Sequence, residues 1–200
     1  MGQSRLQRGT LQWTGEHWVA MLRPAVSDRD SAIVSLFALR YSPAGEGHVA
    51  VVRIDQGVNR FESLCTDNEN LLPFAVPRLF ERAAYWKLDL PVTRCRFART
   101  GDATRDPGWR IEPAAGDEVE VRWIVEEPPI TVNTPWRNDQ DVFSILSFTE
   151  EAQVHLGGRR VEGRPYLRDI WRDSIGGERS SCCFALAESF FDVPASEAKA

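Results

Sequence analysis

The sequence predicts a mainly β fold, an antiparallel β-barrel or strongly curved sheet with one packed helix near residues 77–87. Three observations predict it. Apolar residues alternate with polar ones, or cluster in short runs of strand length, along most of the chain. Gly- and Pro-rich connections separate these runs at hairpin-like intervals. One stretch alone, from Val76 onward, has clear helical spacing.

Each element follows from its own pattern. Trp18, Ala20 and Leu22 alternate with His17, Val19 and Met21, a strand from Glu16 to Arg23 that is apolar on both faces at its centre. Ser31 to Tyr41, with Ile33, Val34, Leu36, Phe37 and Leu39, is a second strand. Pro43, Gly45 and Gly47 break it and Val49 to Ile54 resumes it, so the pair reads as a central hairpin. Phe61 to Thr66 adds a strand. Thr66 stands three residues before Glu69, ahead of Leu71 and Leu72, which is the spacing of a capping box opening a short helix that Pro73 interrupts. Pro77 suits the first position of the main helix. Val76, Leu79, Phe80 and Ala83 share its apolar face, and Arg78, Glu81 and Arg82 its polar one.

Beyond Pro91, Thr93, Cys95 and Phe97 alternate with Arg94 and Arg96, and Val119, Val121, Trp123 and Val125 with Glu118, Glu120 and Arg122. If Thr93–Phe97 and Asp117–Glu127 are neighbours, their outward arginines meet outward glutamates. The connection Gly101–Gly116 is rich in Gly, Pro and Asp and reads as a long loop carrying Trp109. Asn133–Asp141 reads as another. Val142 to Phe148 is taken as strand because Val, Ile and Phe favour pleated surfaces. Val154 and Leu156, then Gly157-Gly158 and Arg159 to Glu162, give a hairpin. Leu167, Ile170 and Trp171 suggest a helical turn, and Ser181 to Ala187 a last buried strand. The whole reads as one domain, 1–200, with 1–10 and 192–200 as loose tails.

Composition excludes several classes. Hydrophobic residues at 42% and charged residues at 26% are those of an ordinary globular chain. The net charge is −5 and its acidic excess falls in the second half, against a general nucleic-acid surface. All but two of the 24 basic residues are arginine, Lys87 and Lys199 being the exceptions, and guanidinium suits a surface of planar carboxylate pairs. Arg159, Arg160, Arg164, Arg168, Arg172 and Arg179 are interleaved with Glu162, Asp169, Asp173 and Glu178, the pattern of a solvated ion-pair face. Met1 to Thr10 lack an apolar stretch and no run is long enough for a bilayer, so a cytoplasmic address and no membrane partner are expected.

Candidate chemistry is sparse. Cys65, Cys95, Cys182 and Cys183 do not have zinc-ligand spacing, and no metal site is expected. The glycine pairs lack the following Lys-Ser or Lys-Thr of a phosphate loop, so no cofactor is expected either. Cys65 lies close to Asp67, and with His17, His48 or His155 it would form a nucleophile. Asp67, Glu69, Asp169 and Asp173 are the candidate acids.

Seven tryptophans carry the leading reading. Trp18, Phe97 and Trp123 fall on inward strand faces, while Trp109, Trp136 and Trp171, with Arg172, lie in or near loops. A curved sheet encloses a small, partly apolar ligand between such aromatic walls and a polar mouth. The nearest architectural analogy is a lipocalin-like or related barrel, and analogy of fold assigns no function by itself. The expected function is therefore non-enzymatic ligand binding at Trp18, Phe97, Trp123, Trp136, Trp171 and Arg172. Two other classes stand beside it: an enzyme using a carboxylate or Cys65 in the same cavity, and a structural or partner-binding protein, for instance a homodimer through an apolar sheet face.

Overall fold

The computed structural model describes residues 9–80, 89–136 and 139–193. Among the described residues fourteen strands form in chain order: β1 (Thr10–Leu22), β2 (Ala32–Tyr41), β3 (Gly47–Gln56), β4 (Asn59–Thr66), β5 (Val92–Thr100), β6 (Gly108–Pro113), β7 (Val119–Ile124), β8 (Ile130–Pro135), β9 (Gln140–Phe148), β10 (Glu151–Leu156), β11 (Arg159–Arg160), β12 (Leu167–Arg168), β13 (Arg179–Ser180) and β14 (Cys183–Asp192). Twelve of them make one sheet, in the order β11-β10-β7-β6-β5-β4-β3-β2-β1-β14-β9-β8, and β12 and β13 pair separately. The fold is mainly β, and its sheet is strongly curved and not closed.

Curvature follows from where apolar residues sit. The alternating set Trp18, Ala20 and Leu22 on β1, Val34 and Leu36 on β2, and Ala50, Val52 and Ile54 on β3 shares one core with Trp109, Ile111, Val119, Val121, Trp123 and Val154 from β6, β7 and β10. One face of the sheet therefore folds onto itself, and β10 comes back beside β1. The ladder does not close there. β1 pairs with β14 instead, from Thr10↔Asp192 to Val19↔Cys183. Past the end of that ladder, side chains take over: the Trp123 indole Nε1 donates to the Val19 carbonyl at 2.8 Å, and Ser181 Oγ to that of Met21 at 2.7 Å.

The other face of β1–β4 is covered as well. Trp13, Phe37, Leu39, Val49 and Val51 pack beneath Leu71, Ala75 and Phe80 of the helical segment 69–80. Val19, Met21, Ile33, Val142 and Leu146 form a third cluster, against which Trp136, Tyr166 and Ile175 lie. β1 bends between these layers at irregularities flanking Gly15. A Cβ there would stand 2.1 Å from the Ala38 carbonyl oxygen, so the close approach of β1 to β2 requires glycine.

Several expectations are corrected. The short helix expected from Glu69 forms, but it runs on without a break into the turn that holds Pro77, as Glu69–Leu71, Leu72–Ala75 and a π-type turn Val76–Phe80. Their cap is Asn68, which accepts from Asn70 N, while Thr66 Oγ1 accepts from Asn68 N. Pro73 sits in a first helical turn, where the missing N–H is no loss, and so interrupts nothing. The rest of the expected helix, 81–87, lies outside the described residues. Trp109 is on β6, not in a loop, and β6 separates the two strands expected to be neighbours. The arginine–glutamate pairing survives with other partners, Arg96 with Glu112 and Arg110 with Glu118. β8 extends through Asn133 to Pro135 and β9 begins at Gln140, inside the stretch expected to be a loop. Finally, β4 and β5 are parallel, and the helical segment supplies the crossover that a parallel pair requires. No helix among the described residues is long and apolar enough to cross a membrane.

Candidate functional site

The structure brings together three of the six residues expected to line a ligand site. Trp18 is fully buried and stacks on Phe184 with centroids 4.4 Å apart, and Trp123 lies 5.1 Å from it. These rings occupy the space between the curved walls, and the polar handle of Trp123 is engaged by Val19. Phe97 packs on the edge of the same core and stacks on the His48 ring at 5.0 Å. Trp136 belongs elsewhere, edge-on to Phe190 in the third cluster. Arg172 is on an outer helical turn, paired with Asp169 at 2.5 Å and Glu178 at 3.9 Å. Trp171 ends the turn Asp169–Trp171, and its side chain lies outside the described ones.

What the sheet does assemble is a rim at one end of the curved core. Glu16 on β1, His48 on β3, Phe97 and Arg99 on β5 and Trp109 on β6 meet there. The Arg99 guanidinium lies 4.3 Å from the Trp18 ring centroid and 5.2 Å from that of Trp109, a cation over two indoles. Glu16 anchors it: Oε2 accepts from Arg99 Nη1 at 2.5 Å and from the Trp18 indole at 3.0 Å. Burial lowers the Arg99 pKa from its ordinary value, Glu16 opposes that, and the like charge of Arg40 adds to it. About one third of the side chain is exposed, 34%, so the group remains within reach of solvent.

His48 is held as firmly. Asp67 Oδ1 accepts from its backbone N at 2.7 Å, and Oδ2 contacts Nδ1 at 2.6 Å. A carboxylate only accepts, so Nδ1 carries the proton of that bond. This geometry depends on Gly47, at φ +141°, where a Cβ would come within 2.8 Å of Asp67 Oδ1. Phe97 and Trp109 pack against the ring, the latter edge-on at 5.4 Å. His48 Nε2 has no hydrogen-bond partner among the described residues, and neither has the buried Trp109 Nε1.

Asp67 was one of the candidate acids, and it does meet a histidine. Arg99 had no place among the expected site residues, Glu16 entered only as the start of a strand, and Trp109 only as a loop tryptophan suited to the mouth of a cavity. The signal for Arg99 was present: it continues the inward alternation Cys95, Phe97 by one more step. Trp109 was hidden by the loop-like composition around it.

A second histidine makes a different arrangement. His17 contacts Glu188 through Nδ1 at 3.2 Å and Ser35 Oγ through Nε2 at 3.4 Å, its ring stacked on Phe37. The order resembles a nucleophile–base–acid chain. Ser35, however, is 2% exposed and sits in the middle of β2, opposite Val19 on one side and Val51 on the other. The backbone N–H groups around it serve the ladders, so no pair of donors is aimed at a developing oxyanion. The chain is a polar tie between β1, β2 and β14.

Cys65 is fully buried, and its contact with Cys95 together with burial raises its thiol pKa, the reverse of activation. No group of three or more His, Cys, Asp or Glu among the described residues could hold a metal ion. The opposite end of the core has an open hollow of about 410 Å³, lined by Pro24, Ser31, Asp55, Gln56 and Glu162. It offers no aromatic surface. No protein-family model matches the chain, and a search of curated proteins found no match.

Proposed function

We propose that the protein binds a small, partly apolar molecule, in a calycin-like manner but at the Phe97–His48–Arg99 rim instead of in the middle of the core. One observation carries this reading: a guanidinium held over two indoles beside two further rings, with the Trp109 N–H and His48 Nε2 unpartnered among the described residues. Apolar walls with a few polar groups that fix orientation are the usual composition of a small-molecule site. Four cysteines present as thiols suit the reducing cytoplasm, the address this reading assumes.

N-phenyl-1-naphthylamine, an uncharged apolar fluorophore, tests it. Saturable energy transfer from tryptophan is expected, with Phe97→Ala weakening binding several-fold and Trp136→Phe, on the other layer, leaving it unchanged. Linear, unsaturable emission would end the proposal.

The His48–Asp67 pair favours a second reading. An imidazole with Nδ1 fixed by a carboxylate and Nε2 unengaged is arranged as a general base. A rim ligand that is chemically converted, with conversion lost in His48→Gln but binding retained, would decide for an enzyme. A ligand recovered unchanged decides for a binding protein.

A further inference from the structure

Resting on the binding reading, we infer that the ligand of this rim is an aromatic acid, its ring against Phe97 and its carboxylate or sulfonate on Arg99 and Arg40. The inference comes from comparing donors with acceptors. Arg99 has five N–H donors, of which Nη1 reaches Glu16. Arg40, near the end of β2, is exposed, makes no ion pair among the described residues, and stands two residues beyond Ala38, which pairs with Glu16 on β1 and His48 on β3, so it shares their face of the sheet. His48 Nε2 and Trp109 Nε1 have no partner among the described residues.

The two carboxylates that contact these groups are already engaged, Asp67 through both oxygens and Glu16 through one. Asp67 has one oxygen on His48 N and the other at Nδ1. Glu16 holds Arg99 and the Trp18 indole with a single oxygen. The rim therefore presents the N–H donors of two guanidinium groups, while of these carboxylate oxygens only the second one of Glu16 has no partner among the described residues. A neutral ligand would leave Arg40 and Arg99 repelling each other. An oxyanion relieves that repulsion and accepts from the planar guanidinium fork in a geometry that suits it. The aromatic part has its own reason: Phe97 and the edge of His48 offer a stacked, partly exposed pair of rings beside the charge.

Two probes with closely related ring systems separate charge from ring. 1-Anilinonaphthalene-8-sulfonate carries the acid, and N-phenyl-1-naphthylamine does not. The sulfonate is expected to bind about tenfold tighter at low salt, the difference of one charge-assisted contact, and to lose that advantage as salt rises. Arg40→Gln, at an exposed strand end, should remove most of the advantage without moving the thermal midpoint or the affinity for the uncharged probe. Arg99→Lys should lower the sulfonate's advantage as well, because an ammonium lacks the fork. Equal affinity for the two probes, or a sulfonate affinity indifferent to both substitutions, overturns the inference while binding itself stands. If neither probe binds, the binding reading fails and takes this inference with it.

Discussion

Trp123 reaches from β7 across the core, and its indole N–H meets the Val19 carbonyl where the β1–β14 ladder ends. Both groups are buried, so neither has water as an alternative partner. Removing the donor while keeping a large ring leaves that carbonyl short of a partner at the seam. Trp123→Phe should therefore lower stability by about 1–3 kcal/mol, beyond what the smaller ring loses. Urea unfolding measures it, and a midpoint equal to that of the parent would show that the bond contributes nothing. The inward direction of Trp123, like that of Trp18 and Phe97, was legible because alternation fixes a face once a strand is recognised. Its partner was not. A period of two assigns a side chain to a face but says nothing about which strand lies opposite. Trp109 was missed for a simpler reason: Pro107, Gly108 and Pro113 bracket it with residues that ordinarily signal turns. Here Gly108 is needed for close approach, since a Cβ would sit 2.6 Å from the Val121 carbonyl oxygen.

At the scale of elements, the hairpin of β2 and β3 and the Gly157-Gly158 turn between β10 and β11 were legible, because both ends of each connection are local. The parallel meeting of β4 with β5 was not, since no local pattern distinguishes a crossover from a long hairpin. The segment leading into β12 is tied back to β1 by contacts equally remote in sequence. Arg23 and Arg164 exchange backbone hydrogen bonds at 3.0 Å, and the Arg23 guanidinium lies 3.8 Å over the Tyr166 ring. Tyr166 in turn donates its hydroxyl to Asp30 Oδ2 at 3.0 Å. Burial, then the Asp30 carboxylate, pushes the Tyr166 pKa up to about 12. The folded state thus favours the neutral phenol more than the unfolded chain does. Its contribution is complete below the unfolded value of 10.0 and is lost as pH rises toward about 12. Stability should fall over that interval, and Tyr166→Phe should flatten the fall while being less stable at neutral pH through loss of the bond to Asp30. Denaturation curves from pH 9 to 12 check both. Parallel slopes in the two proteins would place the alkaline transition elsewhere.

Over the whole molecule, β1–β3 are enclosed on both sides, by the curved core on one face and by the two outer clusters on the other. The sheet then thins toward two edges. β11 is two exposed arginines long, and β8 shows mostly exposed positions with Pro128, Pro129 and Pro135 at its ends. Short, charged or proline-bounded edges resist pairing with another chain, the protection that an open sheet needs and a closed barrel would not. The same gradient predicts a gradient of opening. An amide exchanges when its own hydrogen bond breaks, and the cost of that depends on how much packed surface must separate with it. In β2 every position from Ala32 to Leu39 is buried, so opening there requires the core and an outer layer to part together. In β8 the ladder to β9 is the strand's single backbone neighbour, and only Val132 is buried. Hydrogen exchange should therefore find amides of Ile33–Leu39 and Val49–Ile54 opening only with global unfolding. Those of Ile130–Thr134 should exchange faster by about two orders of magnitude or more. β14 is the informative case. It lies near the end of the chain, yet it is flanked by β1 and β9 and should rank with the centre, not with the edges. Rapid exchange throughout Cys183–Phe190 would mean that β14 opens separately from the curved core, and that the core holds its shape without the strand that occupies its unclosed side.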